Sequence, residues 1–230
     1  MLSERPIMVL CDIEGTLLDV PEESVRHRQA LRQALGQVTG LDVVLPKDRD
    51  GHTDYTLILS ALEELGVEDL LSEQAFEMIA QQAAAIYESN CPQDLAWYVR
   101  PGVCSTLLKL WSDPLIKVVP CSGAVAGIAR LLVIRSGLDE PLSVGYGSFA
   151  RFGGTRPDLV EAARERAGGY AGLPWPADKT VLVSRSASDI VAAHSAGIRT
   201  IAVACSSPVA EVGVLSFEDV PGVLARWTQE

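Results

Sequence analysis

Three stretches of the amino-acid sequence gather groups able to handle an anion. Cys11-Asp12-Ile13-Glu14-Gly15-Thr16-Leu17-Leu18-Asp19 brings carboxylates and a hydroxyl together. Pro120-Cys121-Ser122-Gly123-Ala124 adds a second hydroxyl, and Val183-Ser184-Arg185-Ser186-Ala187-Ser188-Asp189 adds hydroxyls, a guanidinium and a further acid. Arg156 supplies another guanidinium. A carboxylate attacks phosphorus or carbon when cations and hydrogen-bond donors stabilise the charge that develops. Taken singly, several of these residues have plainer uses. Ser122 suits a helix cap, Asp189 suits loop support, and Arg185 can extend into solvent. Arg156 opens a helical segment, where a cation is unfavourable without an anionic partner.

These groups need strand ends to carry them. Ile7–Cys11 is a short apolar run closed by Asp12, and comparable runs occupy 116–119, 142–144, 180–183 and 201–204. Their unbroken apolar character suits parallel strands covered on both faces. Helical spacing over 101–111, 125–134, 156–167 and 187–196 alternates with them, the last ending at the C′ glycine Gly197. Strand and helix in alternation predict an α/β fold with a doubly wound, mostly parallel sheet. Ligands bind such a sheet beyond the carboxyl ends of its strands. Residues 25–35, 55–65 and 72–90 have helical spacing with no strand between them, punctuated by Gly36, Gly40 and the 46–51 stretch. A helical cap at 20–94 is therefore expected to interrupt a core made of 1–19 and 95–230. Its return near 92–101 sets two linkers side by side as a hinge.

Composition narrows the function. With 230 residues, 48% of them apolar and 21% charged, the chain is neither disordered, collagen-like nor disulfide-stapled. Its 30 acidic and 19 basic residues give a net charge of -11, which disfavours nucleic acid and anionic membrane as partners. A small anionic metabolite remains compatible where basic groups converge. No apolar run reaches the ~18 residues of a membrane span. Ser3, Glu4 and Arg5 lead straight into an apolar strand, unlike a secretory leader, so a cytoplasmic protein is expected, monomeric or homodimeric. Cys11, Cys91, Cys104, Cys121 and Cys205 lack metal-binding spacing and are expected to be buried reduced thiols. Trp97, Trp111, Trp175, Tyr146 and Phe149 are expected to serve packing. His194 reads as a surface or packing residue, whereas His27, between Arg26 and Arg28, and His52, beside Thr53-Asp54, belong to the cap.

The ordered set of motifs resembles the haloacid dehalogenase-like (HAD) hydrolase superfamily. Asp12-x-Glu-Gly-Thr-Leu-x-Asp19 is similar to its first motif, Ser122 to its second, Arg156 to its conserved Lys or Arg, and Asp189 to the last acid of its fourth. Gly51-His-Thr-Asp54 and Ala61-x-x-x-Leu-Gly66 resemble the helical cap of its phosphoglycolate-phosphatase-like branch. The resemblance implies a hydrolase of a small phosphorylated or carboxylated metabolite, with Asp12 as covalent nucleophile. It places Glu14, Ser122, Arg156, Arg185 and Asp189 beside Asp12 in the catalytic group. Thr16, Gly123, Ser184, Ser186 and His52 are the expected substrate contacts.

Two departures bear on this chemistry. Glu14 replaces the acid/base Asp of the phosphatases, its head one methylene further out. Arg185 replaces the Asp that holds magnesium in the fourth motif, and a guanidinium cannot ligate a cation. Magnesium is therefore the family cofactor but no metal is assigned here. Were a cation to bind, Asp12, Glu14 and Asp189 are its ligands. Arg185 is expected beside Asp12 and Glu14, perturbing or replacing the ion. Two alternatives stay open: an inactive HAD-fold ligand-binding or regulatory protein, and metal-free chemistry at carbon. Val183-Ser184-Arg185-Ser186-x-x-Asp189 supports the latter through its similarity to 2-haloacid dehalogenases.

Overall fold

The computed structural model describes residues 6–47, 50–168 and 172–227. Ser3, Glu4 and Arg5, and part of the 46–51 stretch, lie outside them. The core is a six-stranded sheet in the order β3-β2-β1-β4-β5-β6, parallel throughout. Its strands are β1 (Ile7–Cys11), β2 (Ile116–Val125), β3 (Ser148–Ala150), β4 (Thr180–Ser184), β5 (Arg199–Val203) and β6 (Val212–Val214). Crossover helices are α4 (Val103–Trp111), α5 (Ala126–Arg135), α6 (Arg156–Gly168) and α7 (Ala187–Ser195), and α8 (Val220–Trp227) closes the described chain.

The unbroken apolar run of β1 follows from burial on both sides. Ile7, Val9 and Cys11 face one core layer, shared with Leu107 of α4, Ile128 of α5 and Leu224 of α8. Met8 and Leu10 face the other, with Leu159 and Ala163 of α6 and Ala193 of α7. Polar alternation would have exposed one of these layers. Register then sets the site. Cys11 pairs with Pro120 on β2 and Val183 on β4, so Asp12 and the β4 end residue Ser184 come to one level beside Cys121 and Ser122, where β2 runs on to Val125.

Between β1 and α4 stand the cap helices α1 (Pro21–Thr39), α2 (Asp54–Glu63) and α3 (Glu73–Asn90). Pro21 opens α1 and Gly40, at φ +75°, closes it in the left-handed conformation that a side chain resists. Thr53 caps α2 through a reciprocal pair with Thr56, and Ser72 caps α3 by accepting from the Ala75 N–H. Leu31, Ala34 and Leu35 of α1 pack with Phe76, Ile79 and Ala83 of α3. Tyr87 is fully buried there and donates to Glu23 Oε2 at 2.9 Å, which satisfies an otherwise costly buried acid. The connections into and out of the cap run side by side: Leu18 bridges Val99, and the Asp19 N–H donates to the Tyr98 carbonyl at 2.8 Å.

Several sequence expectations need correction. Residues 142–144 form no strand. After Pro141, the Leu142 N–H donates to the Leu138 carbonyl and the Val144 N–H to the Leu142 carbonyl, so the segment turns back on itself. The edge strand comes later, at β3. Val125 ends β2 instead of beginning a helix. Cys104 is exposed and Cys205 half-buried, while Cys11, Cys91 and Cys121 are buried. Trp97 is 92% exposed, so it contributes no packing. Among the described residues no helix is long and apolar enough to cross a membrane.

Candidate active site

A cavity of about 320 Å³ opens where the cap faces the carboxyl ends of β1, β2 and β4. Asp12, Glu14, Ser122, Arg156, Ser186 and Asp189 line its core side, and Asp19, Ser24 and Asp50 its cap side. Asp12 is 6% exposed at its floor. The loop after it turns sharply at Gly15, φ +83°, and the Leu17 and Leu18 N–H groups both donate to the Ile13 carbonyl. That turn returns Thr16 beneath Asp12, where its hydroxyl donates to Oδ2 at 2.6 Å. The Arg185 backbone N–H donates to Thr16 Oγ1 at 2.9 Å, locking the β1 loop to the end of β4.

Burial pushes the Asp12 carboxyl well above the usual carboxylate range, and the neighbouring Asp189 and Glu14 charges push the same way. Arg156 and the Thr16 hydroxyl oppose them by favouring the ionised form. Asp189 is likewise raised by burial, against the pull of Arg156 and Ser184. Both of its oxygens are engaged: Arg156 Nη1 donates to Oδ1 at 2.8 Å and the Ser184 hydroxyl to Oδ2 at 3.0 Å. Arg156 also donates through Nε to the His52 carbonyl at 2.9 Å, tying core to cap. Only glycine fits beneath this contact. A Cβ at Gly123 would lie 2.8 Å from Arg156 Cζ and 3.0 Å from the His52 oxygen. Arg156 thus has the anionic partner that its place at a helix start demands.

Glu14 reaches toward the cap, where its Oε1 is 3.4 Å from His27 Nδ1. His27 Nε2 lies 2.8 Å from Asp54 Oδ2, and that oxygen accepts the Val125 N–H at 2.8 Å. A buried chain of groups therefore runs from the cavity through α1 and α2 to the end of β2. A second cap contact closes over β4. The Ser186 and Ser188 hydroxyls donate to Asp50 Oδ1 at 2.9 and 2.6 Å, and the Gly51 N–H donates to Ser188 Oγ at 3.0 Å.

The structure thus brings Asp12, Glu14, Ser122, Gly123, Arg156, Ser186 and Asp189 to one cavity. Thr16, Ser184 and His52 stand behind it, supporting Asp12, Asp189 and Arg156 in turn. Arg185 differs from its expected position. Its side chain does not line the cavity, and among the described residues it pairs with neither Asp12 nor Glu14. It lies near Cys205, where its charge opposes the rise that burial imposes on the thiol. Asp189 takes Arg156 as its counter-charge, while Asp12 has no guanidinium of its own at ion-pair distance among the described residues.

Asp50, Asp54 and the buried setting of His27 were not read as site features from sequence. Asp54 was visible only as part of the Gly51-His-Thr-Asp54 match. Magnesium, implied by the resemblance, wants oxygen ligands in octahedral array. The donor set does not fit it. Asp189 commits both oxygens, Asp12 Oδ2 is held by Thr16, and Arg185 occupies the ligand position in the chain. Among the described residues no group of three or more His, Cys, Asp or Glu side chains is disposed to hold a metal ion.

No protein-family model and no curated protein sequence matches the chain. Solved structures do. β-Phosphoglucomutase from Clostridium difficile aligns with a TM-score of 0.64 at 15% identity, covering 97% of this chain and 98% of that one. A predicted phosphoglycolate phosphatase from Haemophilus somnus aligns at 0.56 and 19% identity, covering 95% and 98%. A haloacid dehalogenase-like family hydrolase from Streptococcus pneumoniae aligns at 0.57 and 13% identity, covering 95% and 98%. The chain therefore has the haloacid dehalogenase-like fold, a parallel α/β core with a helical cap inserted after the first strand.

Proposed function

We propose that the protein is a hydrolase of small phosphate esters that works through Asp12 without a resident magnesium ion. One observation carries this reading: Asp12 stands at the cavity floor with Oδ2 fixed by Thr16, among Ser122, Glu14 and the Arg156–Asp189 pair. The names of the structural neighbours, a phosphoglucomutase and a phosphoglycolate phosphatase among them, support a phosphate ester as the substrate.

In this reading Asp12 attacks through Oδ1. A bond forms from that oxygen to phosphorus as the bond to the ester oxygen breaks, and Glu14 gives its proton to the leaving oxygen. Water then attacks the phosphorus of the aspartyl phosphate while Glu14 takes up its proton; the bond from phosphorus to Asp12 Oδ1 breaks, returning the carboxylate, and inorganic phosphate leaves. Arg156 and the Ser122 hydroxyl stabilise charge on the phosphoryl oxygens. His27, steadied by Asp54, orients Glu14.

A second reading is favoured by the raised pKa of Asp12. Burial and Asp189 favour the neutral acid, which is no nucleophile, so the same cavity would serve a ligand-binding protein. A panel of phosphate esters, assayed with excess chelator, separates the two. Hydrolysis, a phosphate mass adduct on the Asp12 peptide after acid quench, and loss of both in Asp12→Asn are expected. Turnover retained by Asp12→Asn overturns covalent catalysis. No turnover across the panel, with esters still raising the melting temperature, selects the second reading.

A further inference from the structure

A larger cavity, about 680 Å³, opens away from Asp12 between cap helix α3 and core helix α5, beside the sheet edge at β3. Its floor is built from small residues: Ala80 and Ala84 on α3, Ala126 and Gly127 on α5, and Ala150 on β3. The two helices nearly touch at one point, since a Cβ on Gly127 would lie 2.4 Å from the Ala84 Cβ. Phe76, Leu131 and Phe149 add apolar surface around that floor. A cleft of this size and lining is in the range that holds a small ligand.

Charge divides its two walls. Glu77 and Glu88 stand on the cap side, whereas Arg130, Arg151 and Arg166 stand on the core side. Among the described residues none of these three guanidiniums has a carboxylate at ion-pair distance, although the chain carries 30 acids against 19 basic residues. Arg130 lies over the Phe149 ring at 5.8 Å, and Arg166 is anchored by the Gly147 carbonyl at 2.6 Å. The Thr155 hydroxyl and N–H hold the Asp158 carboxyl below its ordinary value, and Arg151 stands close enough to add to this without reaching ion-pair distance. Cations free of a direct ion pair beside an apolar floor suit a ligand that has an apolar body and an anionic head.

We propose that this cleft is a second ligand site for a small soluble amphipathic anion. Its carboxylate or phosphate head meets Arg130 and Arg151 on the core wall, and its hydrocarbon body lies over the alanine floor toward α3. The cap-wall glutamates fix that orientation by repelling the head. Because α3 belongs to the cap and α5 and β3 to the core, an occupant bridges the two. By linkage, occupancy and ligand binding at the Asp12 cavity then affect each other to the same degree.

Decanoate is a suitable probe, titrated calorimetrically into the full chain and followed by amide chemical shifts. Saturable one-to-one binding is expected, with shifts confined to 76–88, 126–134 and 149–151. Arg130→Gln and Arg151→Gln, both surface changes, are each expected to weaken it by about tenfold. Ala80→Trp fills the floor and is expected to abolish it, and Asp12→Asn to leave it unchanged. Decanol, which lacks the charge, and inorganic phosphate, which lacks the body, are expected to bind at least about tenfold more weakly. The proposal is overturned if decanoate does not saturate or if decanol binds equally well. It is also overturned if folded Arg130→Gln and Arg151→Gln bind like the parent, or if shifts centre on Asp12. A dimer that dissociates on Arg130→Gln, with no decanoate binding, would assign the face to a second copy of the chain and overturn it too.

Discussion

His27 and Asp54 meet at 2.8 Å, ring Nε2 to carboxylate Oδ2, with both side chains withdrawn from solvent. Since the same oxygen accepts the Val125 N–H, helices α1 and α2 of the cap and strand β2 of the core converge on one atom. Asp54→Ala removes the acceptor from a buried N–H and a buried ring together. Leaving a buried donor unsatisfied costs about 1–3 kcal/mol. Asp54→Ala should lower unfolding free energy in urea by about that amount per donor. A loss confined to within about 0.5 kcal/mol, the size of an ordinary surface change, would mean that the convergence contributes nothing to stability.

The environment of Asp12 makes a signed prediction about pH. Burial and Asp189 raise its folded pKa above the unfolded value near 3.8. In that case the folded state holds the proton more tightly than the unfolded chain. Stability from this group is fully present below the ordinary carboxylate value and is lost as pH rises through the raised folded pKa. Asp12→Asn, which keeps an acceptor for Thr16, should therefore melt above the parent at pH 7. The difference should shrink to nothing below the ordinary value. Turnover, which needs the ionised form, should have its acid limb above the usual carboxylate range. A variant less stable than the parent at neutral pH would contradict the cost assigned to the Asp12 charge.

Two arginines that look equivalent in sequence should separate in experiment. Arg156 is mostly buried, bonded to Asp189 and to the His52 carbonyl, and lines the cavity. Breaking a buried pair from one side costs about 3–5 kcal/mol, because the remaining charge is left without its partner. Arg156→Ala should lose about that much stability, and ester hydrolysis with it. Arg185 contributes its backbone N–H to Thr16, which alanine retains. Arg185→Ala should stay within about 0.5 kcal/mol of the parent and keep its turnover. Comparable losses in both variants, measured by thermal melts and steady-state kinetics, would return Arg185 to the cavity.

Legibility from sequence followed the strength of local patterning. β1 and β4 were readable because burial on both faces leaves a continuous apolar run, and α1 to α3 because their apolar spacing is helical. β3 was missed because Ser-Phe-Ala is too short and mixed to stand out, and the apolar stretch at 142–144 competed with it. α8 was passed over although Val220, Val223, Leu224 and Trp227 lie at helical spacing, Trp227 two turns beyond Val220. At the site, Asp12, Ser122, Arg156 and Asp189 were legible because each sits next to a strand end or helix start. Asp50 and Asp54 were not. Their partners, Ser188 and Val125, are distant in the chain, and no local spacing encodes a contact made only when cap meets core. The direction of the Arg185 side chain was invisible for a similar reason, since Arg156 meets Asp189 through tertiary contact alone.

That cap-to-core closure at Asp50 supplies a last test. The Ser188 and Ser186 hydroxyls and the Gly51 N–H hold the Asp50 carboxyl below the usual carboxylate range, the Ser188 bond contributing most. A depressed folded pKa favours the bonded state above the ordinary value, and that contribution is lost as pH falls through the lowered one. The group is largely exposed, so its effect on global stability is small. Its effect on the cap is local. With α1 to α3 joined to the core through the paired linkers, the Asp50 contact helps hold the far side shut together with the Arg156–His52, Asp54–Val125 and Thr53–Gly154 contacts. Ser188→Ala, which removes the shortest Asp50 bond and leaves Ser186 to cap α7, should loosen that side without unfolding the chain. Amide exchange should rise in 50–53 and 186–189, KM for the ester should increase, and the melting temperature should change little. Unchanged exchange in both segments would show that the Asp50 contact does not hold the cap, leaving the Arg156–His52, Asp54–Val125 and Thr53–Gly154 bonds to do so.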